Sequence, residues 1–392
     1  MAEAGIDKLR IAIVSSGLGH VARGIETWAA DTAAALHAMG RDVTLFKGSG
    51  RAEAPYERVC RCLRRGSNLN TRLNRMLPGW AWHLGLGNDY DIEQTTFALA
   101  AIPMLGRRFD VVHTQDPLAS LILQRARKTG LVKAPTILAH GTEEPFDFLR
   151  KIDYVQHLAP FHLEEARAAG CYKDTWCAIG NFVDTERFSP GDGRALRERH
   201  GIPPDAFVVL SVAAVKKVHK RIDYLIREVA ALRRTKDRDV RLVVAGARTS
   251  ETDELLATAR KELGEAALFL LDRPRESIPD ILRMADVFAL CSLKEMMPIA
   301  LLEATATGLP CLVSTHPVVG WMVGDGGEPI PMEKEGTLAG ALASCLDAER
   351  CSAKGAAARR HAVENFGKDA IVRQYIEMYE RVIAHSRKRG AS

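Results

Sequence analysis

Aromatic side chains are scarce in this chain, at 6% of 392 residues, and it holds no unbroken apolar run of about 18 residues. The missing run predicts that no helix spans a bilayer. The scarcity of aromatics does not point to disorder, because hydrophobic residues make up 47% of the chain and short β-branched runs recur along it. None of the eight cysteines (Cys60, Cys62, Cys171, Cys177, Cys291, Cys311, Cys345 and Cys351) belongs to a C-x-x-C pair. No zinc site is therefore expected, and all eight are read as reduced thiols of a cytoplasmic protein. The opening segment MAEAGIDKLRIAIVSS lacks the basic stretch and long apolar core of a signal peptide. Excess charge is small too. The formal +5 suits a phosphate-bearing ligand or an anionic membrane surface, and it does not imply a nucleic-acid partner.

What is present is a repeated alternation of strand and helix patterns. Leu9–Val14, Asp42–Phe46, Asp110–His113, Pro135–His140, Tyr154–His157 and Thr175–Ile179 read as strands, and Ile25–Met39 reads as a helix stopped by Gly40. After the turn-rich NFVDTERFSPGDG, residues 181–193, the pattern restarts. Phe207–Val212, Arg241–Ala245, Ala267–Leu271, Val287–Cys291 and Cys311–Ser314 are the strands of this second series. Apolar strands alternating with helices mean parallel sheets covered on both faces. The expected fold class is α/β, with two doubly wound, Rossmann-like domains over residues 1–185 and 186–369. The remaining residues, 370–392, carry a helix pattern over Ala370–His385 that could cross back to the first domain. Ligands of such folds bind beyond the carboxyl ends of the strands, so the expected site is a cleft between the two domains.

One stretch breaks the alternation. Residues 58–87 contain Arg58, Arg61, Arg64, Arg65, Arg72 and Arg75 and no acid, interleaved with Leu63, Leu69, Leu73, Met76, Leu77, Trp80 and Trp82. Two readings fit. The arginines form a solvated face over a loop whose apolar residues pack inward, or the segment contacts an anionic acceptor or membrane surface. The second reading would place the protein peripherally on the inner face of a membrane.

Several motifs carry chemistry. Gly17, Gly19 and Gly24 lie between the first strand and the first helix, where glycine lets backbone approach a ligand and a helix start offers free N–H groups. Their spacing is not G-x-G-x-x-G, and the second strand runs into Lys47 rather than an acid, which disfavours a dinucleotide cofactor. A tight turn without ligand remains open. His140 ends the apolar strand PTILAH and would face the mouth of the sheet, though a lone histidine is often structural. Lys216, Lys217, Lys220 and Arg221 fall between the first strand and first helix of the second domain, as suits a diphosphate. In CSLKEMMPIALLEATATGLP, Glu295 follows a strand, Pro298 opens a helix and Gly308 ends it. Glu303 thus sits on an otherwise apolar helix, where a carboxylate needs partners. Two carboxylates eight residues apart can bracket a polyhydroxylated ligand.

These residues resemble the retaining glycosyltransferases of the GT-B fold, specifically the large family four. The signature E-x7-E is read as Glu295 to Glu303 and is followed by EATATGLP; FDVVHTQDP, HKRIDYLI, LVVAG and VGDGG resemble family segments in the same order. The resemblance implies metal-independent transfer of a sugar from a nucleotide-diphosphate donor, with UDP favoured, to the hydroxyl of an unidentified acceptor. It implies no cofactor and no metal. By correspondence, Glu295 contacts hydroxyls of the transferred sugar and Glu303 holds the ribose. Lys220 binds the diphosphate, His140 lies near the reacting centre, and the amide of Gly24 approaches phosphate. Met297 stands where phenylalanine is frequent, beside Pro298, which cannot donate a backbone N–H. Val215 stands where an arginine is common, so Lys216 or Lys217 must supply the second phosphate charge. The N-terminal domain takes the acceptor side, with Gly17, Gly19, His20, Asp116 and Glu143 as candidates. An epimerase of the same fold and a non-catalytic sugar-nucleotide scaffold are the alternatives.

Overall fold

The computed structural model describes residues 9–21 and 23–391. Their contacts divide them into two compact units. One runs up to Asn181 and resumes at Ile371; the other is Phe182–Ala370.

The first unit holds seven strands: β1 (Arg10–Ser15), β2 (Asp42–Lys47), β3 (Glu57–Val59), β4 (Val111–Thr114), β5 (Thr136–His140), β6 (Tyr154–His157) and β7 (Cys177–Ala178). They form one sheet in the order β3-β2-β1-β4-β5-β6-β7. Every neighbouring pair is parallel. Parallel neighbours need long crossovers, and these cover both faces with helices. Ile11, Ala12, Ile13 and Val14 of β1 are accordingly all buried without alternation. Helix Gly24–Ala38 buries Trp28, Ala29, Thr32, Ala33 and Leu36, one stripe at helical spacing.

The second unit repeats the plan with β8 (Phe207–Val212), β9 (Val240–Gly246), β10 (Ala267–Leu271), β11 (Val287–Leu290), β12 (Cys311–Ser314) and β13 (Gly327–Ile330). The order is β10-β9-β8-β11-β12-β13, again all parallel. In each sheet the first strand lies between the second and the fourth of its series, so the connections leaving β1 and β4, or β8 and β11, diverge. That divergence opens a crevice at the carboxyl ends of the strands.

Two strands lie outside the sequence expectations. β3 has three residues, ERV, too few to show a period. β13, GEPI, carries Pro329, which marks it as an edge strand with a weak pattern. Both stand at the edges of their sheets. The division at Asn181 falls before the expected position, because Val183 already bridges to Gly367 and the Asp184 carboxylate accepts from Lys368 Nζ at 2.7 Å.

The last helix, Lys368–Ala391, begins in the second unit and continues into the first. Within the first unit its Tyr375 and Tyr379 are fully buried. Tyr375 donates to the Gly180 carbonyl at 2.9 Å and accepts from Trp28 Nε1 at 3.3 Å. Tyr379 Oη lies 2.8 Å from Nδ1 of His113, which projects from β4. Among the described residues no helix is long and apolar enough to cross a membrane.

Burial pushes His113 down to about 3, and burial with the nearby His162 does the same for His157. A histidine depressed in the folded state contributes stability that is complete above its unfolded pKa and is lost as pH falls below it. Each should therefore cost about 1.4 kcal/mol per pH unit on acidification from about 6.5 toward 3. Thermal melts of the parent and of His113→Phe between pH 7.5 and pH 5 check this. The parent should lose stability over that range with a steeper slope than the variant.

Candidate functional site

In the first unit the turn after β1 is shaped by the chain's own groups. Gly19 has φ +99°, and a Cβ there would stand 2.2 Å from the Ser49 carbonyl oxygen. A Cβ on Gly17 would lie 2.1 Å from Glu26 Oε1 and 2.3 Å from an Arg65 guanidinium nitrogen. Gly17 therefore makes room for the Glu26–Arg65 pair. Gly24, the first residue of helix Gly24–Ala38, has no described heavy atom within 4 Å of where a Cβ would point, and Arg23 before it provides no side-chain cap.

Beneath this turn lies a buried charge cluster. Arg65 donates from its backbone N–H and from Nε to Glu93, at 2.7 and 2.9 Å, and from Nη2 to Glu26 at 3.0 Å. Its guanidinium carbon also sits 4.2 Å from the centroid of the Tyr90 ring. His20 Nε2 lies 2.6 Å from Glu93 Oε2, the oxygen that also accepts the Arg65 backbone N–H. Asp116 is fully buried and both its oxygens are engaged, one by the Ser16 N–H at 2.5 Å and one by the Tyr90 hydroxyl at 2.9 Å. Burial, opposed by the charge of Arg65, pushes Glu26 up to about 7, and burial also raises Asp116. Burial acts upward on Glu93 as well, but hydrogen bonds from His20 and the Arg65 backbone, with the Arg65 charge, hold it below the usual range.

This cluster takes in two of the acceptor-side candidates and leaves a third outside it. Asp116 ties β4 to the turn after β1 and presents no carboxylate oxygen outward. His20 is oriented by Glu93. Glu143 is exposed in the loop after β5. Arg65 corrects the expectation of one basic solvent face over residues 58–87. Its side chain is 15% exposed and serves the cluster, whereas Arg58, Arg61, Arg64, Arg72 and Arg75 are exposed. Sequence reasoning missed Arg65, Glu26 and Glu93 as a unit, because their positions carry no common spacing. His140 ends β5, is 6% exposed, and lies beside His157 at the end of β6.

In the second unit the loop after β8 carries the lysines. It is tightly wound: His219 has φ 73° and Arg221 φ 51°, both left-handed and uncommon for such residues. Lys220 Nζ donates to Glu295 in the loop after β11, and His219 Nε2 lies 3.9 Å from the same carboxylate. β8 and β11 are hydrogen-bonded neighbours, so Lys220 and Glu295 meet where their loops part. Glu303 on helix Ile299–Ala306 is 3% exposed and accepts from Arg275 at 2.7 Å. Arg275 lies in the turn after β10, separated by sequence from every motif, and was not singled out there. Met297 is buried, and Pro298 is the N-cap of the Glu303 helix.

The lysines divide. Lys217 pairs with Glu254, and its backbone N–H donates to Glu251 at 2.6 Å. Its charge is thereby drawn toward helix Thr252–Leu263. Lys216, in the same loop, is half-buried and makes no ion pair among the described residues.

Residues 192–361, nearly all of the second unit, match the family profile described as glycosyl transferases group 1. The chain is 34% identical over 213 residues to D-inositol 3-phosphate glycosyltransferase 2 of Catenulispora acidiphila, an alignment covering 51% of this chain and 49% of that protein. It is 23% identical over 351 residues to N-acetyl-alpha-D-glucosaminyl L-malate synthase of Bacillus anthracis, covering 81% of this chain and 88% of that one. Among solved structures, Anabaena HepE in complex with UDP and glucose superposes with a TM-score of 0.71 at 15% identity, over 95% of this chain and 100% of that chain. The fold is thereby that of GT-B proteins, with two Rossmann-like domains.

The charge cluster makes two predictions. Removing one partner of a buried ion pair strands the others, so Arg65→Ala should lower the unfolding free energy by about 3–5 kcal/mol. Glu26, raised in the folded state, contributes stability that is present below its unfolded value and lost as pH rises through about 7. The stability of Glu26→Gln relative to the parent should therefore increase from pH 5 to pH 8. Urea denaturation at the two pH values measures both effects.

Proposed function

We propose that this chain, a member of the glycosyl transferases group 1 family, transfers a sugar from a nucleoside-diphosphate donor to an acceptor hydroxyl. Configuration at the anomeric carbon is retained, no metal ion takes part, and the nucleotide is UDP. One observation carries the reading: the Lys220–Glu295 pair where the loops after β8 and β11 part, with Glu303 held by Arg275 on the adjoining helix. A cation and two anchored carboxylates at a switch point suit a ligand that joins phosphates to hydroxyls.

The chemistry follows from these groups. A bound diphosphate offers Lys220 a stronger partner and releases Glu295 to accept hydrogen bonds from sugar hydroxyls. Glu303, oriented by Arg275, accepts from the ribose. As the glycosidic bond to the diphosphate lengthens, negative charge grows on the leaving oxygen, and Lys220 with Lys216 is placed to stabilise it. Departure and entry occur on one face of the sugar, so the leaving oxygen can take the acceptor proton and no protein base is required. The absence of a D-x-D motif after any strand supports the metal-independent reading. The UDP bound by HepE supports the choice of nucleotide. The acceptor side is assigned to the first unit, around Gly17, Gly19 and His20. The setting assigned is cytoplasmic, where thiols stay reduced.

The segment over residues 58–87 supports an anionic membrane contact. The outer face of helix Asn68–Met76 carries Leu69, Arg72, Arg75 and Met76, and the turn Gly79–Leu84 exposes Trp80, Trp82 and Leu84. Five of the twelve large apolar side chains most exposed among the described residues thus fall in this one segment, next to five exposed arginines. Each basic residue near an anionic bilayer adds about 1 kcal/mol, and apolar rings seat at the interface.

Lys220→Ala should lower kcat about 100-fold with a smaller change in donor affinity, since the charge it meets grows in the transition state. Glu303→Ala should weaken donor binding about tenfold or more. A thermal-shift panel of nucleoside diphosphates should give its largest rise with UDP, and EDTA should leave turnover intact. Normal turnover in both variants would remove the assignment, and donor conversion without acceptor would point to an epimerase. For the membrane contact, the parent should sediment with anionic vesicles at low salt and be released at high salt. Arg72→Glu with Arg75→Glu, or Trp80→Ser with Trp82→Ser, should weaken this binding.

A further inference from the structure

Glu295 has a second nitrogen neighbour besides Lys220. His219, the residue before that lysine, sets its Nε2 3.9 Å from the same carboxylate oxygen. That distance is within ion-pair reach and too long for a hydrogen bond. The backbone holds the imidazole there: His219 stands at φ 73°, in the left-handed region, between β8 and helix Ile222–Thr235. Its ring also hydrogen-bonds to the backbone of Lys294, next to Glu295, so the loop after β8 is joined to the loop after β11. All of these groups belong to the second unit.

The influences on this ring oppose one another. Partial burial is the largest and disfavours the protonated form; Glu295 favours it, and Lys220 and Lys216 disfavour it. In the free protein His219 is therefore held below its ordinary value. Lys220 acts twice in this balance. It repels a proton from His219, and it occupies the carboxylate that would attract one. A ligand that draws Lys220 onto phosphate removes both effects and brings negative charge of its own. Glu295, only 8% exposed, then loses its ammonium partner, and a nearly buried carboxylate without a cation is costly. The imidazole 3.9 Å away supplies that cation by taking a proton from solvent and closing the gap through side-chain rotation.

We propose that His219 is a positioning residue of the donor site: when a diphosphate draws Lys220 away, protonated His219 takes its place beside Glu295, and donor binding is accompanied by uptake of a proton. The coupling to a ligand rests on the transfer reaction proposed above; the exchange of partners at Glu295 does not. The step is non-covalent, and it leaves the sugar side of the site intact. A carboxylate accepts at more than two positions, so one held by His219 still accepts from sugar hydroxyls. By reciprocity, donor affinity rises as pH falls through the range in which His219 titrates.

The exchange is tested without a ligand by following the His219 ring through a pH titration of the full chain labelled with 15N-histidine, its signals identified by their loss in His219→Asn. In Lys220→Ala the midpoint should rise above that of the parent by about one pH unit, a tenfold gain in proton affinity. Adding Glu295→Gln should abolish most of this rise. An unmoved midpoint in Lys220→Ala, or a rise that survives Glu295→Gln, would overturn the proposal. The coupling is tested by calorimetric titration with UDP-glucose, whose phosphates do not titrate near neutral pH, at about pH 6.5 in buffers of different ionisation enthalpy. The parent should take up a fraction of a proton, and its affinity should rise several-fold between about pH 8 and about pH 6. Asparagine tolerates the left-handed backbone, so His219→Asn should keep the loop and lose both the uptake and the pH dependence. No uptake in the parent, or equal uptake in His219→Asn, would overturn the coupling. A raised midpoint in Lys220→Ala without binding of UDP-glucose would uphold the exchange at Glu295 and overturn the donor reading instead.

Discussion

A parallel strand cannot be joined to its neighbour by a tight turn, and the rest of this structure depends on that restriction. Each connection must climb over the sheet as a helix, so strands end on one side and helices begin there. In both sheets the first strand of the series lies between the second and the fourth, and the chain leaves these neighbours in opposite directions. The connections are thereby led apart at one place at the carboxyl end of each sheet. The glycine turn with Ser16 and Asp116 borders that place in the first unit, and Lys220 with Glu295 borders it in the second. The side chains that could act on a ligand are those that close a strand or open a helix at these points.

Burying charge at such points demands compensation, and the two units meet the demand differently. In the first unit one arginine serves two carboxylates while a tyrosine and a backbone N–H serve a third, so the cluster holds the loops in place. In the second unit each carboxylate has its own cation, Lys220 for Glu295 and Arg275 for Glu303. A lysine–carboxylate pair is one that a charged ligand can exchange with, because a phosphate can replace the carboxylate beside the lysine. The first cluster, with several members sharing one guanidinium, resists such exchange.

The fold class was legible in the sequence because buried parallel strands are continuous apolar runs, and β8, β10 and β12 match the expected spans residue for residue. Two of the four edge strands were not legible. β3 and β13 are short, and one carries a proline, since an edge has only one neighbour to satisfy. Glu295, Glu303 and Lys220 were singled out by resemblance and by the oddity of a carboxylate on an apolar helix, and the folded chain pairs Lys220 with Glu295. Arg65 was misread: among six arginines without an acid it looked like its neighbours, and only its contacts with Glu26 and Glu93, from elsewhere in the chain, distinguish it.

The sequence by itself determined that there are two doubly wound sheets and which loops bear the cations and carboxylates, because hydrophobic period and turn residues are local properties. Tertiary structure alone decided the partners. Arg275 joins Glu303 across 28 residues, Arg65 joins Glu26 across 39, and His157 meets His140 only because β5 and β6 are paired in register. Lys217 is drawn to Glu254 and Lys216 is left to the loop for the same reason. A side chain's partner is set by distance and burial in the folded chain, and neither quantity is written in any local spacing of residues.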